Sequence, residues 1–296
     1  MEKQLDLYGA GSLLAQPLMQ VLAKKGFSGR CYGRTQPVAG SIPAAFSWYR
    51  QENAEEHSEI KDSPSAPVVV SCMPIWLFAR LLPRLRAPRR MIVFSSTSAE
   101  SKAGGSDAAE RKLAEDLRSG EEAIARYCNE QAIPWTIFRP TLIYDGLRDG
   151  NVTAVARFIL RYGFFPVAHP GNGLRQPVHA ADLASVVLAV LENARAPSGI
   201  YNLGGGEILT YLAMVQRIFQ ALDRPARILP LPPRLAGLAL RLFNALRPTP
   251  YRPSLFQRMN QDLVFDLAPA RADFGYQPRP FSPDFRQLLQ SLEEGD

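Results

Sequence analysis

The sequence predicts an α/β fold, a doubly wound parallel sheet followed by a smaller C-terminal domain. Two observations predict it. In the first half, short apolar runs of strand length alternate with stretches of helical periodicity. After Pro140 the texture changes, as glycine and proline become frequent. Repeated strand–helix–strand units form parallel sheets because each right-handed crossover returns the chain to pair in the same direction.

The elements follow in order. Gln4–Tyr8 reads as a first strand ending at a glycine, and Leu13–Lys25 as the helix after it. Gly29–Gly33 is a second strand, and Pro67–Cys72, with three consecutive valines, a third. Ile75–Leu82 has helical spacing, Met91–Ser95 is a fourth strand, and Ala108–Gln131 is a long helix with i, i+4 charges on its solvated face. Trp135–Arg139 closes the run, and the chain returns to the sheet near Val178–Leu203. The expected division is residues 1–145, with a return segment near 176–205, and residues 146–296 as a smaller substrate or lid domain.

At 296 residues and 46% hydrophobic, the chain can bury a full core. The apolar stretches Ala66–Ala79 and Met91–Ala99 are interrupted by Pro or Ser and fall short of the roughly 20 residues a membrane span needs. The first residues carry charge of both signs and show no signal-peptide pattern, so a cytoplasmic location is expected. Cys31, Cys72 and Cys128 are odd in number and widely spaced, which argues against a disulfide framework and a metal site. The net charge of +6, mostly from arginine, suits anionic partners. Nucleic acid is not expected, because no basic stretch is interleaved with base-stacking aromatics.

The first chemical signal is Tyr8-Gly9-Ala10-Gly11-Ser12-Leu13-Leu14-Ala15. A strand ending in glycine and leading into a helix presents backbone N–H groups and a positive dipole end to a pyrophosphate, the arrangement of a Rossmann-type dinucleotide site. Gly9, Gly11, Ser12 and Leu13 are the candidate phosphate-turn residues; a purely structural turn is the plainer alternative. NAD-preferring sites usually place a carboxylate at the end of the second strand, whereas this chain has Arg34. A guanidinium suits a 2′-phosphate, so NADP is favoured over NAD.

Five motifs in order extend this pattern: the glycine turn, Phe94-Ser95-Ser96-Thr97, Arg139-Pro140-Thr141, Arg175 through Asp182, and Tyr201-Asn202-Leu203-Gly204-Gly205-Gly206. Together they resemble the extended short-chain dehydrogenase/reductases, in particular the NAD-dependent epimerase/dehydratase family acting on nucleoside-diphosphate sugars. The resemblance implies that Ser95, Arg139 and Pro140 lie beside the cofactor and that Thr97 bonds the reacting hydroxyl. It also implies that Asn151 and Arg175 hold the diphosphate of a small-molecule substrate, a nucleotide sugar, with a salt bridge to a nearby acid as the alternative for Arg175. The family commonly dimerises through the helix at Ala108–Gln131, so a homodimer is implied as well.

The family's catalytic tyrosine and lysine, four residues apart, have no counterpart: no Tyr-x-x-x-Lys occurs in the sequence. In those enzymes the lysine lowers the tyrosine pKa for proton transfer. Aligning Glu122 with the acid that closes the family motif puts Ala114 at the tyrosine position and Arg118 at the lysine position. Arg118 could hold a ribose, but its pKa above about 12 rules out acid–base work. Lys102, Tyr144 and His179 are the substitutes to weigh, His179 reading more simply as a core residue. Two functions therefore stay open: an NAD(P)-dependent epimerase, dehydratase or reductase, and a catalytically inactive NAD(P)-binding regulator or assembly protein. Arg234–Leu246 has a leucine stripe opposite basic residues, which fits a lid helix or, less simply, contact with an anionic membrane surface.

Overall fold

The computed structural model describes residues 3–35, 40–51, 68–85, 87–105, 107–232, 256 and 258–294. The Arg234–Leu246 helix expected from sequence lies outside them. In chain order the strands are β1 (Gln4–Tyr8), β2 (Ser28–Gly33), β3 (Phe46–Arg50), β4 (Val68–Ser71), β5 (Arg90–Phe94), β6 (Trp135–Pro140), β7 (Ile143–Tyr144), β8 (Phe165–Ala168), β9 (Leu174–Arg175), β10 (Val178–His179), β11 (Gly199–Leu203), β12 (Leu209–Thr210) and β13 (Ile228–Leu231). The helices are α1 (Ala15–Lys24), α2 (Ile75–Ala79), α3 (Ser98–Ser101), α4 (Ala108–Glu130), α5 (Val152–Tyr162), α6 (Ala180–Glu192), α7 (Tyr211–Ala221), α8 (Ala268–Phe274) and α9 (Arg286–Glu293). No helix among the described residues is long and apolar enough to cross a membrane.

The chain divides into two compact units. Unit 1 comprises Met1–Pro140, Ala180–Leu203 and Asp266–Gln277; unit 2 comprises Thr141–His179, Gly204–Phe265 and Pro278–Asp296.

Unit 1 is built on a seven-stranded sheet in the order β11-β6-β5-β4-β1-β2-β3, with every pair parallel. This is the doubly wound α/β architecture the sequence predicts. Its central strands are apolar on both faces: β4 is Val-Val-Val-Ser and β5 Arg-Met-Ile-Val-Phe, with every residue buried. One face packs on α2 and α4, bringing Val69, Met91, Val93 and Ile137 against Ile75, Phe78, Leu117 and Ile124. In α1, Ala15, Leu18, Met19 and Leu22 form a buried stripe at 3.6-residue spacing. In α4, Asp107 caps the first turn by accepting from the Ala109 N–H, and Gly120 allows close approach to α2. A Cβ at Gly120 would stand 3.0 Å from the Ile75 side chain and the Trp76 nitrogen.

Two elements depart from expectation. The helix expected over Ile75–Leu82 stops at Ala79 and continues as a 3-10 turn over Leu82–Arg84, since Pro83 cannot donate the N–H a continuing α-helix needs. β3 was not evident in the sequence; it is an edge strand in which only Phe46 is buried.

Unit 2 carries short strand pairs, β10 with β7, β12 with β9 and β13 with β8, around α5 and α7. Its core joins Val152, Val155 and Ile159 of α5 to Met214, Ile218 and Phe219 of α7, with Tyr144, Phe281 and Phe285.

Candidate functional site

The C-terminal edge of the unit 1 sheet holds a cavity of about 460 Å³ over the end of β1. Open α/β sheets bind ligands at this edge, beside the strand where the order reverses. The Gly9–Ser12 turn, Gly33-Arg34-Thr35 after β2, and Gln51 after β3 line it on one side of β1. On the other side lie Cys72, Met73 and Pro74 after β4, with Leu77 and Arg80 from the α2 region.

The turn requires its glycines for two different reasons. Gly9 has φ +83°, and a Cβ there would meet the Met73 nitrogen at 2.7 Å and the Cys72 carbonyl carbon at 2.8 Å, so β1 and β4 could not end so close together. Gly11 has open space where a Cβ would be, which leaves its backbone facing the cavity. The Gly9 and Ala10 N–H groups donate to the Tyr32 carbonyl at 3.0 and 2.9 Å, and Ser12 N–H donates back to Gly9 at 2.9 Å. The helix α1 that follows has neither a side-chain cap nor an acidic residue in its first turn, so no side chain there competes with an incoming anion.

Charge and unmet hydrogen bonding point the same way. Among the described residues the lining contains two arginines, Arg34 and Arg80, and no carboxylate. Next to Gly33, the Trp48 indole Nε1 is buried with no acceptor, 3.3 Å from where a Gly33 Cβ would stand. A buried donor left unmatched costs stability unless something supplies an acceptor. Glycine backbone and two guanidinium groups fit the phosphates of a dinucleotide. The Cys72 thiol at the rim is pushed up to about 12 by burial, which keeps it protonated and unreactive near neutral pH.

Of the residues expected to touch the cofactor, the cavity brings together Gly9, Gly11, Ser12 and Arg34. Leu13, Ser95, Arg139 and Pro140 do not line it. At the ends of β5 and β6 the latter belong to a closed internal network. Ser95 Oγ donates to Glu121 Oε1 at 2.5 Å, and Arg139 donates to both Glu121 oxygens at 2.8 and 2.5 Å and also to Glu100. Glu121 is 2% exposed, and its carboxylate holds the Arg139 guanidinium still more firmly protonated. Thr97 is buried, and its hydroxyl donates to the Pro140 carbonyl at 3.2 Å.

The expected catalytic substitutes are placed differently. The buried stripe of α4 is Ala114, Leu117, Gly120, Glu121, Ile124 and Cys128, so the inward acid is Glu121 and not Glu122. This moves the register by one residue and puts Leu113 and Leu117, both apolar, at the two positions that alignment on Glu122 gives to Ala114 and Arg118. Arg118 is exposed. Lys102 caps the end of α3 and is not a free loop lysine; its Nζ lies 3.8 Å from Glu110 Oε1. Tyr144 is 1% exposed in the unit 2 core, packed edge-on against His179 and Phe281, and its hydroxyl accepts from the Ser282 N–H at 3.3 Å. Burial of that ring removes it from contact with solvent or a small molecule.

In unit 2, Asn151 is exposed at the start of α5, its side-chain amide donating to the Ile143 carbonyl at 3.4 Å. Arg175 is 4% exposed and, among the described residues, makes no salt bridge. Its guanidinium donates to the backbone carbonyls of Leu174, Gln261 and Arg258 and lies over the Tyr211 ring. Burial pushes its pKa down to about 10. The guanidinium is enclosed and engaged by carbonyls of the segment around Arg258–Gln261.

Comparison with known proteins gives a family match over part of the chain and a fold. Residues 84–204 match the model of the NAD dependent epimerase/dehydratase family. An uncharacterized Sinorhizobium fredii protein, y4nG, is 29% identical over 161 residues, covering 54% of this chain and 40% of that protein. Subunit 9 of the NADH dehydrogenase [ubiquinone] 1 alpha subcomplex from Arabidopsis thaliana mitochondria is 26% identical over 130 residues, covering 44% and 31%. The chain thus spans less than half the length of these two curated relatives. Among solved structures, the Bacillus cereus UDP-glucuronic acid 4-epimerase, crystallised with UDP-glucuronic acid and NAD, superposes with a TM-score of 0.73 at 15% identity, covering 97% of this chain and 99% of that one.

Proposed function

We propose that this chain, whose residues 84–204 match the model of the NAD dependent epimerase/dehydratase family, binds NADP(H) in unit 1 and has given up the family's tyrosine–lysine proton transfer. The carrying observation is the cavity over the glycine turn, with no carboxylate among its described lining residues and Arg34 directly after β2. Gly9, Gly11 and Ser12 would hold the pyrophosphate and Arg34 the 2′-phosphate, through charge-assisted bonds to a fork-shaped cation. When bound, a nicotinamide supplies a hydride donor or acceptor. The protein offers little to move the accompanying proton: Leu113 and Leu117 cannot, Tyr144 is enclosed, and Ser95 and Thr97 are engaged internally. A nucleotide-responsive binding or assembly role follows from a site kept for the ligand and closed to the chemistry.

The test is nucleotide titration of the purified chain by calorimetry. NADPH is expected to bind at least tenfold more tightly than NADH, and Arg34→Ala to remove most of that preference; equal affinities in both proteins would end the NADP reading. A second reading, an oxidoreductase acting on a nucleoside-diphosphate sugar, draws support from the sequence match of Thr97 and Asn151 to the family motifs and from the UDP-glucuronic acid held by the solved neighbour. Incubation with NADP or NADPH and UDP-glucose or UDP-glucuronic acid, followed by product analysis, separates the two. Turnover would favour the second reading.

A further inference from the structure

The cavity over β1 carries a second cation that the glycine-turn pattern does not explain. Arg80 directly follows α2, on the β4 side, and lines the cavity together with Leu77, Met73 and Pro74. In the sheet order β4-β1-β2, β1 lies between the strands that deliver the two arginines, so Arg34 and Arg80 arrive from opposite sides of the phosphate turn. Among the described residues no carboxylate lines the cavity to neutralise either one. Among the described residues no ion pair involves Arg34 or Arg80.

Two like charges facing one cavity repel each other, and an anion between them relieves that repulsion. The charge count selects among nucleotides. The pyrophosphate of a dinucleotide is matched by backbone N–H groups and the α1 dipole. A 2′-phosphate adds about −1.5 to −2 at neutral pH, more than one guanidinium neutralises. NAD, which has a hydroxyl there, gives the second arginine nothing to bind.

Building on the NADP(H) reading of this cavity, we propose that Arg80 is a second specificity-determining residue for the 2′-phosphate, gripping the same group as Arg34 from the β4 side. Arg34 and Arg80 then act as a pair: each guanidinium takes phosphate oxygens the other does not reach, and neither alone gives the full preference.

Calorimetric titration of NADPH, NADH and adenosine 2′,5′-bisphosphate against wild type, Arg80→Ala, Arg80→Lys and Arg34→Ala tests this. Arg80→Ala is expected to weaken NADPH and adenosine 2′,5′-bisphosphate about tenfold or more, the scale of a lost charge-assisted hydrogen bond, and to leave NADH within twofold. Unchanged NADH affinity also reports an intact fold, and Arg80→Lys is expected to recover part of the loss. Equal weakening of NADPH and NADH would overturn the proposal by assigning Arg80 to the adenine or the pyrophosphate, and unchanged NADPH affinity would overturn it outright. Tight NADPH binding by wild type with no effect of Arg80→Ala sinks this inference and leaves the NADP(H) reading standing; a wild type that binds none of the three ligands sinks both.

Discussion

Two places on one edge of the unit 1 sheet treat their polar atoms in opposite ways. Over the ends of β1, β2 and β4, the described wall includes glycine backbone and two arginines without a carboxylate, and the Trp48 indole N–H buried next to Gly33 has no acceptor. At the ends of β5 and β6, Ser95, Arg139, Glu100 and Glu121 bond to one another, and Thr97 bonds to Pro140. An unmatched donor and adjacent like charges lower stability until a ligand completes them, whereas a satisfied network is rigid and has little left to offer a reactant. The difference teaches that one stretch of this edge leaves polar groups unmatched around a cavity, while the neighbouring stretch satisfies its polar groups internally.

The sharpest way to break this comparison is Glu121→Ala. It leaves the half-buried Arg139 guanidinium and the Ser95 hydroxyl without their shared acceptor, and removing one partner of such a pair is expected to cost about 3 kcal/mol in urea unfolding. A loss under about 1 kcal/mol would show that the network is not what holds this edge. Gly9→Ala is the next largest. An alanine at φ +83°, pressed on the backbone of Met73, is expected to cost about 1–2 kcal/mol and to abolish the thermal shift given by NADPH. A retained shift would remove the turn from the binding site. The smallest effect belongs to Arg118→Ala: an exposed side chain on the outer face of α4 is expected to change stability by less than about 0.5 kcal/mol and nucleotide affinity not at all. A clear drop in affinity would restore Arg118 as a cofactor ligand.

Much of the fold was legible because it rests on local pattern. Gln4–Tyr8 is a strand residue for residue, and the long helix ends at Glu130, one residue short of the reading from periodicity. β3 escaped because an edge strand with one buried residue has no alternation to detect. The site was legible in part. Gly9, Gly11 and Arg34 stand at strand ends that the pattern marks, but Met73, Leu77 and Arg80 reach the cavity only because β4 pairs with β1, a long-range fact. The choice between Glu121 and Glu122 could have been made from sequence: Leu117, Ile124 and Cys128 fix the inward phase of α4, and position 121 shares it. Arg175 could not have been placed this way, because the carbonyls of Arg258 and Gln261 that engage it lie more than 80 residues further along the chain.

Unit 1 is threaded from three separate lengths of chain, Met1–Pro140, Ala180–Leu203 and Asp266–Gln277. A truncation after Pro140 would therefore not release a finished nucleotide-binding module. It would strip away β11 and turn β6 from an interior strand into a bare sheet border, open to pairing with other chains. Anyone grafting a different second unit onto this scaffold must splice at five junctions at once, and partial proteolysis should yield nicked, still-assembled protein before it yields independent pieces.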